Sequence, residues 1–445
     1  MRTAADCEGV MGMSQSDVAG HVGRSGAGRY SGTRAAAIAL LALGAALLAV
    51  VAVTTPWRPL GPEAPDVRAE PALDFTRAQL DRADAFDAAT SLPGYLSLAL
   101  TLIIGGVLVL TPVGARLIGR LRGPWWIKAI IGLLGVYVVS LMLRWPLGMW
   151  MEGVLRDYGL STQTWGSWSA DRLKNFALQI VLSGIAVLVI VALARKWPRA
   201  WWIPASVGAF ALTVVVSFAY PVVVEPMFNN FTPLPAGQLR TDLLAMARRD
   251  GVPVKDVLVA DASRRTTALN AYVSGFGATR RIVVYDTLVS QPEQEVELVV
   301  AHELGHAKND DVLYGTLVGA LGAAAGTCLL FLVFQALRRR AGVSSAGDPR
   351  AVALLVGLIS LGTVLSGPAQ NVVSRQIEAR ADAHALDLTR DPATFIAMQK
   401  SLALRNISDL SPSALDYMLY ASHPSTAERI AMSRSWARLN GVPRP

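Results

Sequence analysis

Seven apolar stretches constrain the fold of this 445-residue chain more than any other feature. A bilayer core is spanned by a helix of about 20 mostly apolar residues, and these stretches approach or reach that length. They lie at Ala35–Thr54, Tyr95–Thr111, Ile127–Leu143, Phe176–Ala194, Pro204–Val224, Val312–Leu337 and Ala351–Ser366. Hydrophobic residues make up 52% of the chain and charged residues only 17%. The sequence therefore predicts a mainly α membrane protein with seven spanning helices.

The spans divide the chain into five parts. They are a leader at 1–34 that we expect to be disordered, spans one to five at 35–224, a polar segment at 225–311, spans six and seven at 312–366, and a C-terminal segment at 367–445. The acidic loop after span one contains a predicted solvated helix at Ala72–Ala89.

The polar segment has the pattern of a small α+β unit. Gln238–Arg249 is an amphipathic helix, and Asp256–Ala260, Leu269–Gly275 and Arg281–Tyr285 are predicted strands. The unit is inserted between spans five and six, and we expect it to be catalytic because of the motif at its C-terminal end.

The segment ends in His302-Glu303-Leu304-Gly305-His306, within the helical run Glu293–Asn309. Histidines four residues apart project from one helix face, so both imidazoles can bind one zinc ion. Glu303 can then lie beside the open coordination position and take a proton from bound water. Since the HExxH pattern also occurs by chance in helices, its surroundings must support the assignment.

The membrane topology predicts where the third ligand lies. Val312, the start of span six, is only six residues after His306. Spans six and seven form a hairpin, so the chain leaving span seven returns to the face that carries the motif. We therefore expect the third ligand just after Gly367-Pro368, and a metal close enough to the membrane to favour membrane-tethered substrates.

A polar helical stripe follows at that point, formed by Asn371, Arg375, Glu378 and Asp382. A carboxylate commonly completes an HExxH zinc site, which makes Glu378 the candidate. Asp382, one turn later, suits a hydrogen bond to the free N–H of a ligand histidine. Taken alone, the stripe fits a solvated helix with an Arg–Glu pair better than a ligand site, but its position beside the motif reverses this ranking.

Two further histidines follow the stripe. His384 lies off the polar face and is interpreted as a helix-surface residue. His423, in Ser422-His423-Pro424 with Arg429 on the next helix, is either a hydrogen-bond donor to the reacting oxyanion or a loop residue before a helix.

Cysteines and charge exclude other classes. With only Cys7 and Cys328 available, the chain has no disulfide framework and no cysteine zinc cluster. The net charge of +8 reflects arginines in short loops rather than a nucleic-acid surface, so no nucleic-acid partner is expected. The basic loops alternate with acidic or balanced ones, and the positive-inside rule places the zinc face outside the cytoplasm.

The chain resembles the CAAX prenyl protease 1 group of membrane zinc metallopeptidases. The matching text is Phe228–Leu234, Asn270-Ala271-Tyr272 with Gly275-Phe276-Gly277, Arg281–Leu288, the HELGH motif, Asn371…Arg375…Glu378…Asp382, and Ser422-His423-Pro424…Arg429. The resemblance implies seven helices around a chamber and cleavage of prenylated C-a-a-X tails. It also implies that His302, His306 and Glu378 bind one Zn²⁺ and that Glu303 is the base.

The resemblance assigns further residues to the site. It implies that Asn270-Ala271-Tyr272 is the edge strand that pairs with extended substrate. It further implies that four residues line the catalytic centre, namely Asn371, Arg375, His423 and Arg429. We expect Asn371 and Arg375 to bind substrate, and His423 or Arg429 to help stabilise the oxyanion. Two alternatives stay open: a quality-control protease of the heat-shock type, which an extracytoplasmic zinc face would favour, and a zinc-stabilised sensor without turnover. A transporter is disfavoured because no span carries midplane charges.

Overall fold

The computed structural model describes residues 15–275 and 277–443. Its α-helices are α1 (Gln15–Thr54), α2 (Arg77–Leu110), α3 (Val113–Gly119), α4 (Trp125–Asp157), α5 (Trp165–Lys196), α6 (Trp202–Ala219), α7 (Glu225–Phe228), α8 (Gln238–Asp250), α9 (Asp286–Val289), α10 (Glu293–Lys308), α11 (Asp311–Leu337), α12 (Ala351–Thr389), α13 (Pro392–Asn406), α14 (Ala414–Leu419) and α15 (Thr426–Leu439). The strands are β1 (Phe231–Pro233), β2 (Val257–Ala260), β3 (Ala271–Ser274) and β4 (Arg281–Tyr285).

Within these described residues, seven helical stretches are long and apolar enough to cross a membrane. They belong to α1, α2, α4, α5, α6 with its continuation to Phe228, α11 and α12. The predicted fold class is therefore confirmed. Helix α1 begins at Gln15, inside the predicted disordered leader, while residues 1–14 and Phe276 lie outside the described residues.

Three spanning helices continue beyond the predicted spans through an internal proline, and one of them is α4, which contains Pro146. Helix α2 contains Pro93 and joins the predicted solvated helix to span two. Helix α12 contains Pro368 and runs from span seven into the polar stripe. Membrane helices tolerate such prolines because neighbouring groups satisfy the freed backbone carbonyl. The third-ligand candidate thus lies on a rigid extension of span seven.

The membrane core is built by aromatic and small apolar side chains where α6 and α11 meet. Trp201 is fully buried and packs edge-on against Phe331, with ring centroids 5.5 Å apart. Phe334 and Cys328 are also fully buried in this cluster. Burying such rings removes large apolar areas from solvent or lipid and fixes α11, the helix that directly follows the HELGH helix.

The polar segment folds around a four-stranded sheet of order β1-β2-β4-β3. Strands β2 and β4 are parallel, while β1 and β3 run antiparallel to their neighbours and form the two edges. Val257, Ile282 and Val284 are fully buried against Leu243 of α8 and Leu304 of α10. The three predicted strands are confirmed, and β1 is an additional strand that the sequence pattern did not indicate.

Candidate active site

Helix α10 places both motif histidines on one face. Glu293 and Glu295 occupy its first turn, where negative side chains stabilise the helix N-terminus. Its apolar side chains, including Val296 and Val300, are fully buried in the core of the α+β unit. The histidine face is consequently turned toward α12, and His302 is 7% exposed.

Glu378 of α12 lies opposite this face. Its Oε2 atom is 3.2 Å from His302 Nε2, and its Oε1 atom is 3.6 Å from His306 Nε2. The two Nε2 atoms are 3.2 Å apart. Around a tetrahedral zinc ion with ligands at about 2.0–2.1 Å, the ligand atoms lie about 3.3–3.5 Å from one another. The three side chains therefore have the separations that one zinc ion requires.

Hydrogen bonds behind the imidazoles show which nitrogens face the cluster. His302 Nδ1 is 2.8 Å from Asp382 Oδ1, and His306 Nδ1 is 2.9 Å from Asp311 Oδ2. A carboxylate only accepts, so each neutral imidazole carries its proton on Nδ1 and turns the Nε2 lone pair toward Glu378. Glu378 Oε2 is buried and has no well-aligned hydrogen bond to any residue that the structure describes. Three electron-pair donors thus converge, an arrangement that a cation stabilises.

Asp382 has the position predicted for it, and Arg429 explains how it is held there. Asp382 is fully buried. Arg429 Nε donates to Asp382 Oδ2 at 2.7 Å, and Arg429 Nη2 donates to the other carboxylate oxygen. The guanidinium also neutralises a buried charge that would otherwise be strongly destabilising. Arg429 therefore holds the carboxylate that orients His302, and it also lines the large cavity.

Asp311 was not identified from the sequence. It is the first residue of α11, and it accepts a hydrogen bond from His306 just as Asp382 does from His302. The available signal was an acidic residue five positions after His306, but Asp310 beside it offered the same signal. Both candidate ligand histidines therefore have a carboxylate behind them.

Glu303 lies next to the predicted ligands. Its carboxylate and ring nitrogens of His302 and His306 all lie within 4.8 Å of one another. Burial raises the pKa of the Glu303 carboxyl above its ordinary value, which suits a group that takes up a proton near neutral pH. It lines a cavity of about 670 Å³ together with Asn270 and His423, and a smaller one of about 30 Å³ beside His306.

Strand β3 forms one edge of the sheet beside this cluster, and no described strand pairs with its outer side. Tyr285 N donates to Asn270 O at 3.0 Å, and hydrogen-bonded pairs alternate along an antiparallel ladder. The backbone N–H and C=O groups of Ala271 and Val273 consequently point away from β4. The Asn270 side chain accepts from the Ala271 N–H at 2.9 Å. Asn270 lines the larger cavity and Val273 the smaller one, so the edge passes Glu303.

Comparison with known proteins identifies the family. Residues 233–437 match the model of peptidase family M48, and residues 74–230 match a model described as the CAAX prenyl protease N-terminal region with five membrane helices. The Bacillus subtilis uncharacterized metalloprotease YhfN is 31% identical over an alignment of 307 residues that covers 66% of this chain and 71% of that protein. This chain belongs to peptidase family M48.

Other members of the M48 family agree with this assignment. The CAAX prenyl protease 1 homologue of Oryza sativa is 31% identical over 312 residues, covering 67% of this chain and 71% of that protein. The crystal structure of S. mikatae Ste24p superimposes with a TM-score of 0.70 at 22% identity, covering 89% of this chain and 98% of that one. The chain is thus a membrane metalloprotease with the Ste24p fold.

In this M48 chain, Asn371 and Arg375 support the His423 loop rather than facing the metal ligands. Asn371 Nδ2 donates to the backbone carbonyl of Leu419 at 3.0 Å. Arg375 Nη1 donates to the carbonyls of Tyr417 and Ala421 at 3.0 and 2.6 Å, and its guanidinium lies 4.3 Å from the centre of the Tyr417 ring. The polar stripe of α12 therefore has two functions, since its first half anchors a loop and its second half faces the histidines.

The loop supported by Asn371 and Arg375 places His423 beside Glu378. Its Nε2 atom is 3.3 Å from Glu378 Oε2, and its side chain is 57% exposed to the large cavity. Helix α15 begins directly afterwards, with Ser425 and Glu428 forming a capping box that fixes the exit of the loop. The position fits a donor to a substrate oxygen better than an isolated loop histidine.

His384 differs from its predicted role as a helix-surface residue. It is partly buried, and its Nε2 atom lies 3.0 Å from Asp250 Oδ2. Lys308 Nζ contacts the same Asp250 carboxylate at 3.2 Å. This cluster joins the ends of α8, α10 and α12 and thereby braces the two helices that carry the candidate ligands.

Proposed function

We propose that this chain is a membrane zinc endopeptidase that hydrolyses peptide bonds of membrane-tethered or lipidated substrates, and that its site accepts prenylated C-a-a-X peptides. The observation that carries the proposal is the convergence of His302 Nε2, His306 Nε2 and Glu378 at zinc-ligand separations. Glu303 stands beside them as an additional carboxylate. The names of the rice and yeast relatives, both CAAX prenyl protease 1 proteins, support the substrate class.

One Zn²⁺ held by these three ligands would polarise the scissile carbonyl and lower the pKa of a bound water. The Glu303 carboxylate then takes a proton from the attacking water and passes it to the leaving amine. His423 Nε2, on the opposite wall, donates a hydrogen bond to the developing oxyanion. Arg429 contributes indirectly through Asp382, by keeping His302 in the correct orientation.

The outer edge of β3 aligns the substrate. An extended peptide adds to a sheet edge through backbone hydrogen bonds, which are independent of side-chain identity. Asn270, Ala271 and Tyr272 form the part of this edge nearest the large cavity, with Val273 continuing it past Glu303. Asn371 and Arg375 support binding from the other side because they hold the loop that ends in His423.

The zinc face is proposed to lie outside the cytoplasm. The short loops at the opposite ends of the spans are basic, namely Arg116–Lys128, Arg195–Arg199 and Arg338–Arg350, and basic loops stay in the cytoplasm. A topology reporter fused after Pro445 is expected to be active only outside the cytoplasm. In this orientation the natural substrates are membrane-tethered proteins outside the cytoplasm, as in the quality-control alternative, and cleavage of a C-a-a-X peptide reports what the site accepts. Activity confined to the cytoplasm would reverse the orientation and favour prenylated cytosolic tails.

The experiment that tests the function compares two peptides of one sequence, a prenylated C-a-a-X peptide and its unlipidated form. Purified wild-type protein is expected to cleave both in a zinc-dependent reaction and to prefer the prenylated peptide. Glu303→Gln is the inactive blank. Glu297→Gln is a matched control because it makes the same change on the same helix, away from the histidine face. Equal cleavage of both peptides would favour a general quality-control protease, and no cleavage of any peptide would favour a zinc-stabilised sensor.

A further inference from the structure

The carboxylate behind His306 belongs to a chain of contacts that reaches the first membrane span. Asp311 accepts from His306 Nδ1 at 2.9 Å and is 10% exposed. Its other oxygen accepts a hydrogen bond from Arg380 of α12, which is 23% exposed. A buried carboxylate held between an imidazole and a guanidinium has little freedom to rotate.

The same guanidinium also contacts α1. Arg380 Nη1 donates to the backbone carbonyl of Thr54 at 3.3 Å, and Thr54 is the last residue of that helix. The final carbonyls of a helix lack partners within it and carry a partial negative charge, so an arginine there is favourable. Helix α1 precedes residue 74, where the matched family models begin.

The second ligand histidine offers an internal comparison. His302 is held by Asp382, which is held by Arg429 of α15. The His306 and His302 contacts follow the same order, from imidazole to carboxylate to guanidinium. The carboxylate and the guanidinium come from different helices in the two cases. A carboxylate behind a ligand histidine fixes its tautomer and ring orientation and raises the basicity of the ligating nitrogen.

We propose that Asp311 and Arg380 are positioning residues for His306, and that they tie the orientation of this ligand to the end of the first membrane span. The proposal rests on the zinc site proposed above. Asp311 acts on His306 directly, and Arg380 acts through Asp311. Replacing them is therefore expected to weaken zinc binding directly, and to affect substrate binding only through the loss of zinc.

The test measures the zinc Kd of the full-length protein in detergent by competition with a chromophoric chelator. Asp311→Asn keeps the shape of the side chain and removes its charge, and it is expected to raise the Kd between about 10- and 100-fold. Asp310→Asn is the matched control. Asp310 is the neighbouring carboxylate, pairs with Arg280 instead, and has a φ of 51° that asparagine accepts. Its Kd should equal that of the wild type.

Arg380→Gln is the second variant, and it leaves the start of α11 intact. If Arg380 acts through Asp311, the double variant Asp311→Asn/Arg380→Gln should bind zinc no more weakly than Asp311→Asn alone. Equal Kd values for Asp311→Asn and Asp310→Asn would overturn the role of Asp311, and multiplied effects in the double variant would overturn that of Arg380. Wild-type protein that binds no zinc would instead refute the proposed function.

Discussion

Replacing Gly305 by alanine tests whether the close approach of α10 and α12 sets the geometry of the site. Gly305 lies inside the HELGH motif, where α10 crosses α12. A Cβ atom at this position would lie 3.1 Å from His384 Cβ and 3.2 Å from the backbone Cα of Ala381. Ordinary contacts are 3.4–4 Å, and a backbone atom cannot move aside as a flexible side chain does.

The expected magnitude follows from two opposing effects. Overpacking of this kind destabilises a protein by about 1–3 kcal/mol. Alanine is favoured over glycine within a helix by about 1 kcal/mol, which offsets part of that loss. Gly362→Ala in α12 is the matched control because a Cβ there meets nothing within 4 Å and gains the helix preference alone. We expect Gly305→Ala to be less stable than Gly362→Ala by about 1–3 kcal/mol.

The assay is thermal unfolding of both variants in detergent, with and without zinc, together with the zinc Kd. Gly305→Ala should unfold at a lower temperature than Gly362→Ala and bind zinc more weakly. The added Cβ atom pushes α12 away from α10, and Glu378 then moves away from the two histidines. If both variants unfold at the same temperature and bind zinc equally, the two helices are not in the close contact described.

Two further predictions concern the metal and the substrate. A chelator should abolish cleavage and lower the unfolding temperature, because zinc at 100 times its Kd stabilises the folded state by about 2.7 kcal/mol. If activity is lost and the unfolding temperature does not change, the metal is not bound by the three proposed ligands. Replacing the substrate N–H that pairs with the Val273 carbonyl by an ester oxygen should lower kcat/KM about three- to tenfold, since one hydrogen bond contributes about 0.5–1.5 kcal/mol; equal rates for amide and ester would exclude pairing with β3.

The candidate ligand set was predictable because it depends on local periodicity and on topology. Histidines four residues apart share a helix face, and a hairpin of spans returns the chain to the face it left. Both arguments hold without knowledge of side-chain packing, and they led to His302, His306 and Glu378. The structure brings these three together.

The supporting residues were harder to predict because they depend on how separate helices pack. Asp310 and Asp311 are equivalent in sequence, but Asp310 adopts a left-handed conformation between α10 and α11, and only Asp311 faces His306. Arg380 lies off the polar stripe of α12, and Arg429 is placed by α15, a separate helix, where it binds Asp382. Strand β1 has three residues and ends in a proline, too short a pattern to distinguish from a loop.

The central claim is that three side chains hold a zinc ion and a fourth uses it for hydrolysis. Zinc content and peptide cleavage measured together on Glu378→Ala and Glu303→Gln test this claim most directly. We predict that Glu378→Ala loses both the metal and the activity, whereas Glu303→Gln keeps one zinc per chain and loses cleavage by a factor of about 10²–10⁴. Full zinc content in Glu378→Ala, or turnover near the wild-type rate in Glu303→Gln, would contradict it.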